Sequence, residues 1–579
     1  MRHAILRFGW TTVAVIVVLA LLVTSASSQT LLAPLRPADL APVPRRDETP
    51  ELPAEEPAAD PLALPPIPPP PEAPRTLSGP RVRVERFEVV GSSVFRSEDF
   101  AEVLRPYLSR PIDSVDLLAA RDAVTRLYVD AGYVTSGATI PDQDLAGGRV
   151  QIVVVEGTLG EIEVSGQRAF RAEYFEHRIA RAARAPLDIE RLESVLGRFQ
   201  RDPRIERVSA VLEPGSRLGI GRLRLEVEEA YPHTASLVVG NHRSPAIGSA
   251  AMDFDAEFGN LTGFGDGLHV SGSVTEGLRV LFARYSVPIH TGDTELAGWI
   301  SLGRVEIVER PFDALDLRST SRRFGLGVRH PLLRTRDDQL WVGLAGEWLD
   351  LETKQANTDI CLEPGPGSGA LGCRPPRAAV LRAHAEWVHS TSREVLALKT
   401  TASVGVDALG ARVRRRDDFV DGRFFSVLAQ AHYARVLPET LLGSHLIVRS
   451  NLQWTDDPLF SFERFASGGR FTVRGYRENQ LVTDSGINGS LELRIPLLQD
   501  SLGRHRLELA PFTDLARGWS EGPDPKSDLL WSLGLGLRAP IVEWLLVEAW
   551  WGGQLIPVDD RNRTLQDHGF HLGVRIDVP

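Results

Sequence analysis

An arginine set among aromatic residues and glycine, in Phe471-Thr-Val-Arg-Gly-Tyr476, has the most to offer chemically in this chain. A guanidinium withdrawn from water needs an acceptor, because an unpaired buried charge is costly. A carboxylate forty positions on, in Phe512-Thr-Asp514, supplies one. Guanidinium and carboxylate can meet through two parallel hydrogen bonds, which sets orientation as well as charge. Val473 and Arg474 are followed by Gly475, which permits a close backbone approach, and by Tyr476, whose ring can pack on a wall. This is the chemistry of fastening rather than of bond-making. There is no phosphate-binding glycine loop, no His-Glu-x-x-His and no nucleophile elbow, and no nucleophile, base and orienting group stand together. The expectation is a protein that is not an enzyme and uses no cofactor and no metal.

The elements that must hold these residues follow from the rest of the chain. At 579 residues it is too long for one ordinary domain, and its net charge of −11 argues against a nucleic-acid partner. Arg2 and Arg7, the apolar run Val13 to Val23 and the small residues Ala26-Ser27-Ser28 read as a signal peptide over 1–28, cleaved before Gln29. Residues 29–80 are rich in Pro, Ala and Glu and end in Pro65-Pro66-Ile67-Pro68-Pro69-Pro70-Pro71, which predicts a semi-rigid linker exposed to solvent. The two cysteines, Cys361 and Cys373, share one Gly/Pro-rich connection. In an exported chain the pair is expected to form a disulfide.

Order begins near Val82. Alternation over Val82–Val90, helices from Ser97 to about Leu108 and over Val115–Ala131, a strand from Gly132-Tyr133 to Ile140, and the strand Val150–Val155 give the order β-α-α-β-β over 81–157. The order recurs over 158–230, with strands at Leu159–Val164, Val208–Leu212 and Arg222–Val227 and helices at 171–182 and 189–201. From 233 to 579 helical periodicity disappears. Sixteen alternating segments follow, starting near Ala235, Ser249, Gly267, Leu278, Thr294, Ser321, Gln339, Val380, Leu396, Arg423, His445, Gly489, His505, Leu530, Trp544 and Gly569. An even count suits a closed antiparallel transmembrane barrel. Trp341, Trp348, Trp544, Trp550 and Trp551 stand near segment ends, where an interfacial girdle would want them. The arginine motif falls in the connection between the eleventh and twelfth segments, the sixth outer loop, and Asp514 on the thirteenth segment.

Two tandem modules carrying Gly91, Gly132-Tyr133 and Glu156-Gly157 resemble POTRA domains. The whole of 82–579, with Val473-Arg474-Gly475-Tyr476 in its loop and Phe512-Thr513-Asp514 on its thirteenth strand, resembles the outer-membrane transporters of two-partner secretion, the haemolysin secretion/activation type. The resemblance implies a loop folded back into the barrel lumen, with Arg474 on Asp514. It implies α+β POTRA modules in the periplasm that capture an unfolded exoprotein, and a 16-stranded barrel that passes it outward. Outer-membrane lipid and the barrel-assembly machinery are the further partners it implies. The chain departs from the family in three places. Ala516 replaces the glycine of Phe-x-Asp-x-Gly. The terminal strand His571-Leu-Gly-Val-Arg-Ile576-Asp-Val578 lacks a final aromatic. The family's plug helix would fall on Gln29–Leu40, where Pro34 and Pro37 cut it short. The alternative function is assembly and insertion of other outer-membrane proteins. Porins lack the periplasmic modules.

Overall fold

The computed structural model describes Leu62–Ala63 and residues 81–578, apart from 146, 216, 218, 336, 356–376, 412–421, 502, 521–528 and 559–562. The signal peptide, the segment Gln29–Leu40 and the Cys361–Cys373 pair lie outside the described residues.

The first described element, β1 (Leu62–Ala63), lies in the proline-rich segment. The first module follows with β2 (Val82–Arg83), β3 (Arg86–Val90), α1 (Ser97–Leu104), β4 (Pro111–Ile112), α2 (Ser114–Asp130), β5 (Gly137–Thr139) and β6 (Arg149–Val155). Its main sheet has the order β3-β6-β5. The predicted strand 82–90 is divided. β2 pairs with β4, and β3 pairs in parallel with β6. The helix predicted to reach Leu108 stops at Leu104 and tightens into a 3₁₀ turn at Arg105–Tyr107, because Pro106 brings no backbone donor. α2 begins on Asp113, whose carboxylate accepts from the N–H groups of Val115 and Asp116. Phe100, Leu104, Val124, Tyr128 and Ile152 form the core.

Glu156 ties this module together. Its carboxylate accepts from the Ser93 N–H at 2.6 Å and from the Tyr128 hydroxyl at 3.1 Å. Burial alone would raise its pKa, but these bonds, with the Ser93 hydroxyl, hold it below the ordinary carboxylate value.

The second module repeats the plan with β7 (Thr158–Ser165), α3 (Ala172–Ala182), α4 (Ile189–Gln200), β8 (Ile205–Pro214) and β9 (Ile220–Glu229). Phe175, Ile179, Leu192, Leu196 and Phe199 of its helices pack on Val208, Leu212, Leu223 and Leu225 of its sheet. The two modules share one backbone device. Gly91 and Gly166 both follow a first strand at φ near +90° (89° and 85°), and a Cβ on either would stand 2.5 Å from a strand carbonyl, that of Val154 or Val227.

The second sheet has four strands, in the order β1-β8-β9-β7. β1 lies parallel to β8, with Leu62 opposite Ala210 and Ala63 opposite Val211. This corrects the expectation of a wholly solvent-exposed linker: within it, Leu62-Ala63 completes a sheet edge. Between flanking prolines these two residues keep the backbone groups a ladder needs.

Sixteen strands then close into a barrel: β10 (His233–Gly240), β11 (Ala251–Gly259), β12 (Gly267–Val274), β13 (Leu278–Pro288), β14 (Glu295–Glu306), β15 (Leu317–Arg334), β16 (Asp338–Gln355), β17 (Arg377–Ser390), β18 (Glu394–Val406), β19 (Phe425–Val436), β20 (His445–Thr455), then, after a short hairpin of β21 (Phe465–Ser467) and β22 (Leu481–Thr483), β23 (Ser485–Gln499), β24 (His505–Trp519), β25 (Leu529–Val542), β26 (Leu545–Gln554) and β27 (Phe570–Val578). The seam joins β10 to β27, from Ala235 opposite Val578 to Gly240 opposite Gly573. Closure matters because a bilayer offers no water to satisfy an open edge.

Alternation sorts each strand into two faces. On β25, Leu533, Leu535 and Leu537 are exposed on the lipid side, while Ser532, Gly534 and Gly536 turn inward. Trp544 and Trp551 are exposed, as a girdle requires. Trp550 is not part of that girdle: it is 1 % exposed and faces the lumen. Trp341 also departs from it, lying under the Arg329 and Arg334 guanidiniums on the same face of β16 as Glu347. A one-residue step along a strand reverses the side a residue faces, and segment ends alone do not reveal that parity.

The second module sits on the turns at one barrel rim. Arg178 reaches Asp293 at 3.0 Å, and Arg334 of β15 takes the other oxygen of that carboxylate at 2.6 Å. Arg171 donates to the Thr262 carbonyl at 3.1 Å, and its guanidinium lies over Phe264. These turns join even to odd barrel strands, so the odd-to-even connections, including the one carrying the arginine motif, lie at the opposite rim.

Candidate functional site

The connection between β20 and β23 folds back into the barrel. Its stem is the β21–β22 hairpin, with Phe465 opposite Thr483. Asp484 accepts from the Leu459 N–H and from Arg464, both at 3.0 Å, which fixes the base of the loop.

At the tip, Arg474 is 1 % exposed. Its Nε donates to Asp514 Oδ2 and its Nη2 to Oδ1, each at 2.8 Å, a two-point pair. The Arg474 backbone N–H donates to the same carboxylate at 2.9 Å, so backbone and side chain share one acceptor. Nη1 reaches Glu492 at 2.6 Å and Nη2 reaches Ser490 at 3.0 Å. Beneath the guanidinium lies the Phe512 ring, whose centroid is 3.6 Å from Cζ, and the Trp550 ring stands 4.6 Å away. The charge is therefore paired in its plane and covered on its face, an arrangement suited to a fully desolvated cation.

Gly475 has φ +92°, and a Cβ there would stand 2.7 Å from the Gly552 carbonyl oxygen on β26. Any side chain would lift the tip from the wall. The Gly475 N–H points to His571 Nε2 at 3.4 Å, and the Gln554 amide donates to its carbonyl at 2.9 Å. The Tyr476 hydroxyl lies 2.8 Å from the carbonyls of Trp531 and Ile556 and accepts the Trp531 N–H at 3.1 Å. Val473 packs with Tyr476, Leu481, Ala516 and Leu530. Ala516 thus has a role at the departure from the family pattern: its methyl fills the floor beneath Val473.

Sequence reasoning paired Arg474 with Asp514 and placed Phe512 beside them. It did not find Glu492, Ser490, Trp550 and His571. The available signal was strand parity: Ser490, Glu492 and Arg494 alternate with Leu491 and Leu493 on β23, which marks the polar set as lumenal. It also missed the neighbouring arginines. Arg470 pairs with Glu548 at 2.8 Å, and Arg477 with Glu309 at 2.8 Å and with Asp567. Gln566 donates to the Arg243 carbonyl at 2.7 Å and accepts the Glu478 N–H at 3.0 Å, so the loop also touches the outer end of the seam. On the far wall, Arg382 of β17 reaches Glu463 of the loop at 2.7 Å. The loop is held from wall to wall.

A closed 16-stranded barrel, two periplasmic α+β modules and a lumenal loop fastened by arginine define an outer-membrane protein of the polypeptide-transport class, its modules facing the periplasm. A family model described as "Haemolysin secretion/activation protein ShlB/FhaC/HecB" matches residues 219–539, and one described as "POTRA domain, ShlB-type" matches 82–157. The chain belongs to the ShlB/FhaC/HecB family of two-partner secretion. It is similar to the outer membrane transporter CdiB of Escherichia coli, 24 % identical over 511 residues that cover 81 % of this chain and 79 % of the relative. It is 20 % identical to the heme/hemopexin transporter protein HuxB of Haemophilus influenzae, over 67 % of this chain and 68 % of that one. The solved structure of Escherichia coli CdiB superposes with a TM-score of 0.62 at 22 % identity, covering 88 % of this chain and 92 % of the other. Acinetobacter baumannii CdiB gives 0.59 at 16 %, covering 86 % and 90 %. At these identities the superpositions speak to the fold.

Proposed function

We propose that this protein carries an unfolded exoprotein of the haemolysin or adhesin type from the periplasm to the cell surface, and that it does so without covalent chemistry, cofactor or metal catalysis. The modules would take hold of an extended stretch of the exoprotein by adding it to a sheet edge, and the barrel would conduct it outward. Folding of the exoprotein outside would give the movement its direction. The roles of the relatives CdiB and HuxB as transporters support this reading. Bilayer lipid around the apolar outer face, and the barrel-assembly machinery acting on β27 during insertion, are the further partners proposed.

The observation that carries the capture step is the edge of β8, which already holds an extended peptide, Leu62-Ala63, in parallel register. An edge that accepts the chain's own segment has the free donors and acceptors that a secreted chain would use. The two would compete. Replacing both residues in the full-length protein (Leu62→Pro with Ala63→Pro) removes whichever N–H the pair donates to β8. The expected result is tighter binding of the cognate exoprotein's secretion domain, by about 1 kcal/mol or roughly fivefold. The check is a binding titration in detergent. Unchanged affinity would remove β8 from the capture step. Tighter binding of unfolded barrel precursors than of any exoprotein would instead favour the assembly-factor reading.

A further inference from the structure

At the module-facing end of the lumen, two imidazoles and a carboxylate converge. His445 opens β20 and His505 opens β24, two strands separated by β23. Their rings nevertheless stand 5.2 Å apart, tilted by 38°. His505 Nδ1 lies 2.8 Å from Glu508 Oε1. One ligand atom from each of the three residues lies within 4.8 Å of the others. His445 shares the inward parity of Arg449 and Gln453, and Glu508 that of Asp514, so the cluster opens to the lumen.

We propose that His445, His505 and Glu508 form a binding site for a divalent transition-metal ion of the zinc class. Two neutral imidazoles and one carboxylate are a donor set such ions favour, with water completing four-coordination. Bonds of about 2.0–2.1 Å place tetrahedral donors roughly 3.3 Å apart, a contraction that side-chain rotation supplies.

Three further observations fit an ion rather than a chance grouping. The second oxygen of Glu508 is held by Arg538 Nη1 at 2.6 Å, which orients the carboxylate and leaves Oε1 toward the imidazoles. The guanidiniums that face the site are already ion-paired with carboxylates. Arg538 also pairs with Glu548 at 2.7 Å, and Arg494, opposite His445 in register, pairs with Glu492 at 2.7 Å. Finally, among the described residues His445 has its ring contact with His505 and no hydrogen-bonded acceptor or donor at its nitrogens. A bound ion would fasten β20 to β24 across the end of β23. Because Arg538 joins Glu508 to Glu548, the carboxylate that holds Arg470, the ion would stiffen the same wall that receives the loop.

The test uses untagged full-length protein in detergent, stripped with a chelator and titrated with Zn²⁺ alone. One ion per chain is expected. His445→Ala and His505→Ala should each weaken binding about tenfold or more, with barrels that keep their heat-modifiable mobility. Stoichiometric binding that the double variant retains would overturn the proposal, as would no binding by the wild type. Co²⁺ gives an independent reading on unmodified protein. Ligation by imidazole should produce the visible absorption of a four-coordinate cobalt centre, and a spectrum of aquated Co²⁺ only would reject the site.

Discussion

Replacing Arg474 with alanine is expected to reduce export to background while leaving the barrel inserted in the outer membrane. The barrel closes through its backbone ladder and does not need the loop to satisfy its strands. The loop, in contrast, is held at its tip by a buried cation whose loss strands Asp514 and leaves Glu492 with Arg494 alone. Asp514 would lose two hydrogen bonds and Glu492 one, in a wall where neither reaches solvent. Only the backbone N–H donation survives if the tip stays in place, and desolvated charge then drives it away. Breaking a buried pair of this kind costs about 3–5 kcal/mol. Arg474→Lys should fail as well, since an ammonium cannot reach both Asp514 oxygens and Glu492 in one plane. Export is read as exoprotein in the medium, and insertion as heat-modifiable mobility of the membrane fraction. Wild-type export by Arg474→Ala would separate the docked loop from transport.

Deleting residues 82–229 should have an equally large effect for a different reason. The two modules carry the sheet edges on which the proposed capture would depend, and the second is fastened to the rim through Arg178, Asp293 and Arg334. Their removal should leave a membrane-embedded, heat-modifiable barrel that exports nothing. Among the described residues no strand of the modules pairs with a barrel strand, so the barrel loses no ladder partner. Continued export by the truncated barrel would show that the modules are dispensable and would return weight to a simple pore.

The chain discloses its architecture more readily than its site. Each of the sixteen starts read from alternation falls within a few residues of a strand, because lipid on one side and a polar lumen on the other impose period two throughout. Arg474 and Asp514 could be read because each sits in a distinctive local phrase. Glu492 could not. It lies in Leu-Glu-Leu-Arg, an unremarked stretch of strand, and becomes a partner only when β23 and β24 pair in a register that sets Ser490 opposite Asp514. Trp550 looked interfacial for the same reason: its place near a strand end was visible, its inward parity was not. Leu62-Ala63 was hidden by composition, since prolines on either side dominate any local propensity while the pairing is decided by an edge about 150 residues away.

The distribution of charge at the loop's docking wall carries a consequence for conduction. The positive groups there belong in part to the loop itself, Arg470, Arg474 and Arg477, while the carboxylates Glu492, Asp514, Glu548, Asp567 and Glu309 belong to strands and other loops. With the loop withdrawn, those acids would outnumber the three neighbouring strand arginines, Arg449, Arg494 and Arg538, and the passage would become electronegative. A pore opened by excising 465–483 should therefore select cations. In a planar bilayer with a potassium chloride gradient, the zero-current voltage should shift toward the potassium equilibrium potential, and more weakly as ionic strength rises. A shift toward chloride would place the dominant charge of the open passage elsewhere.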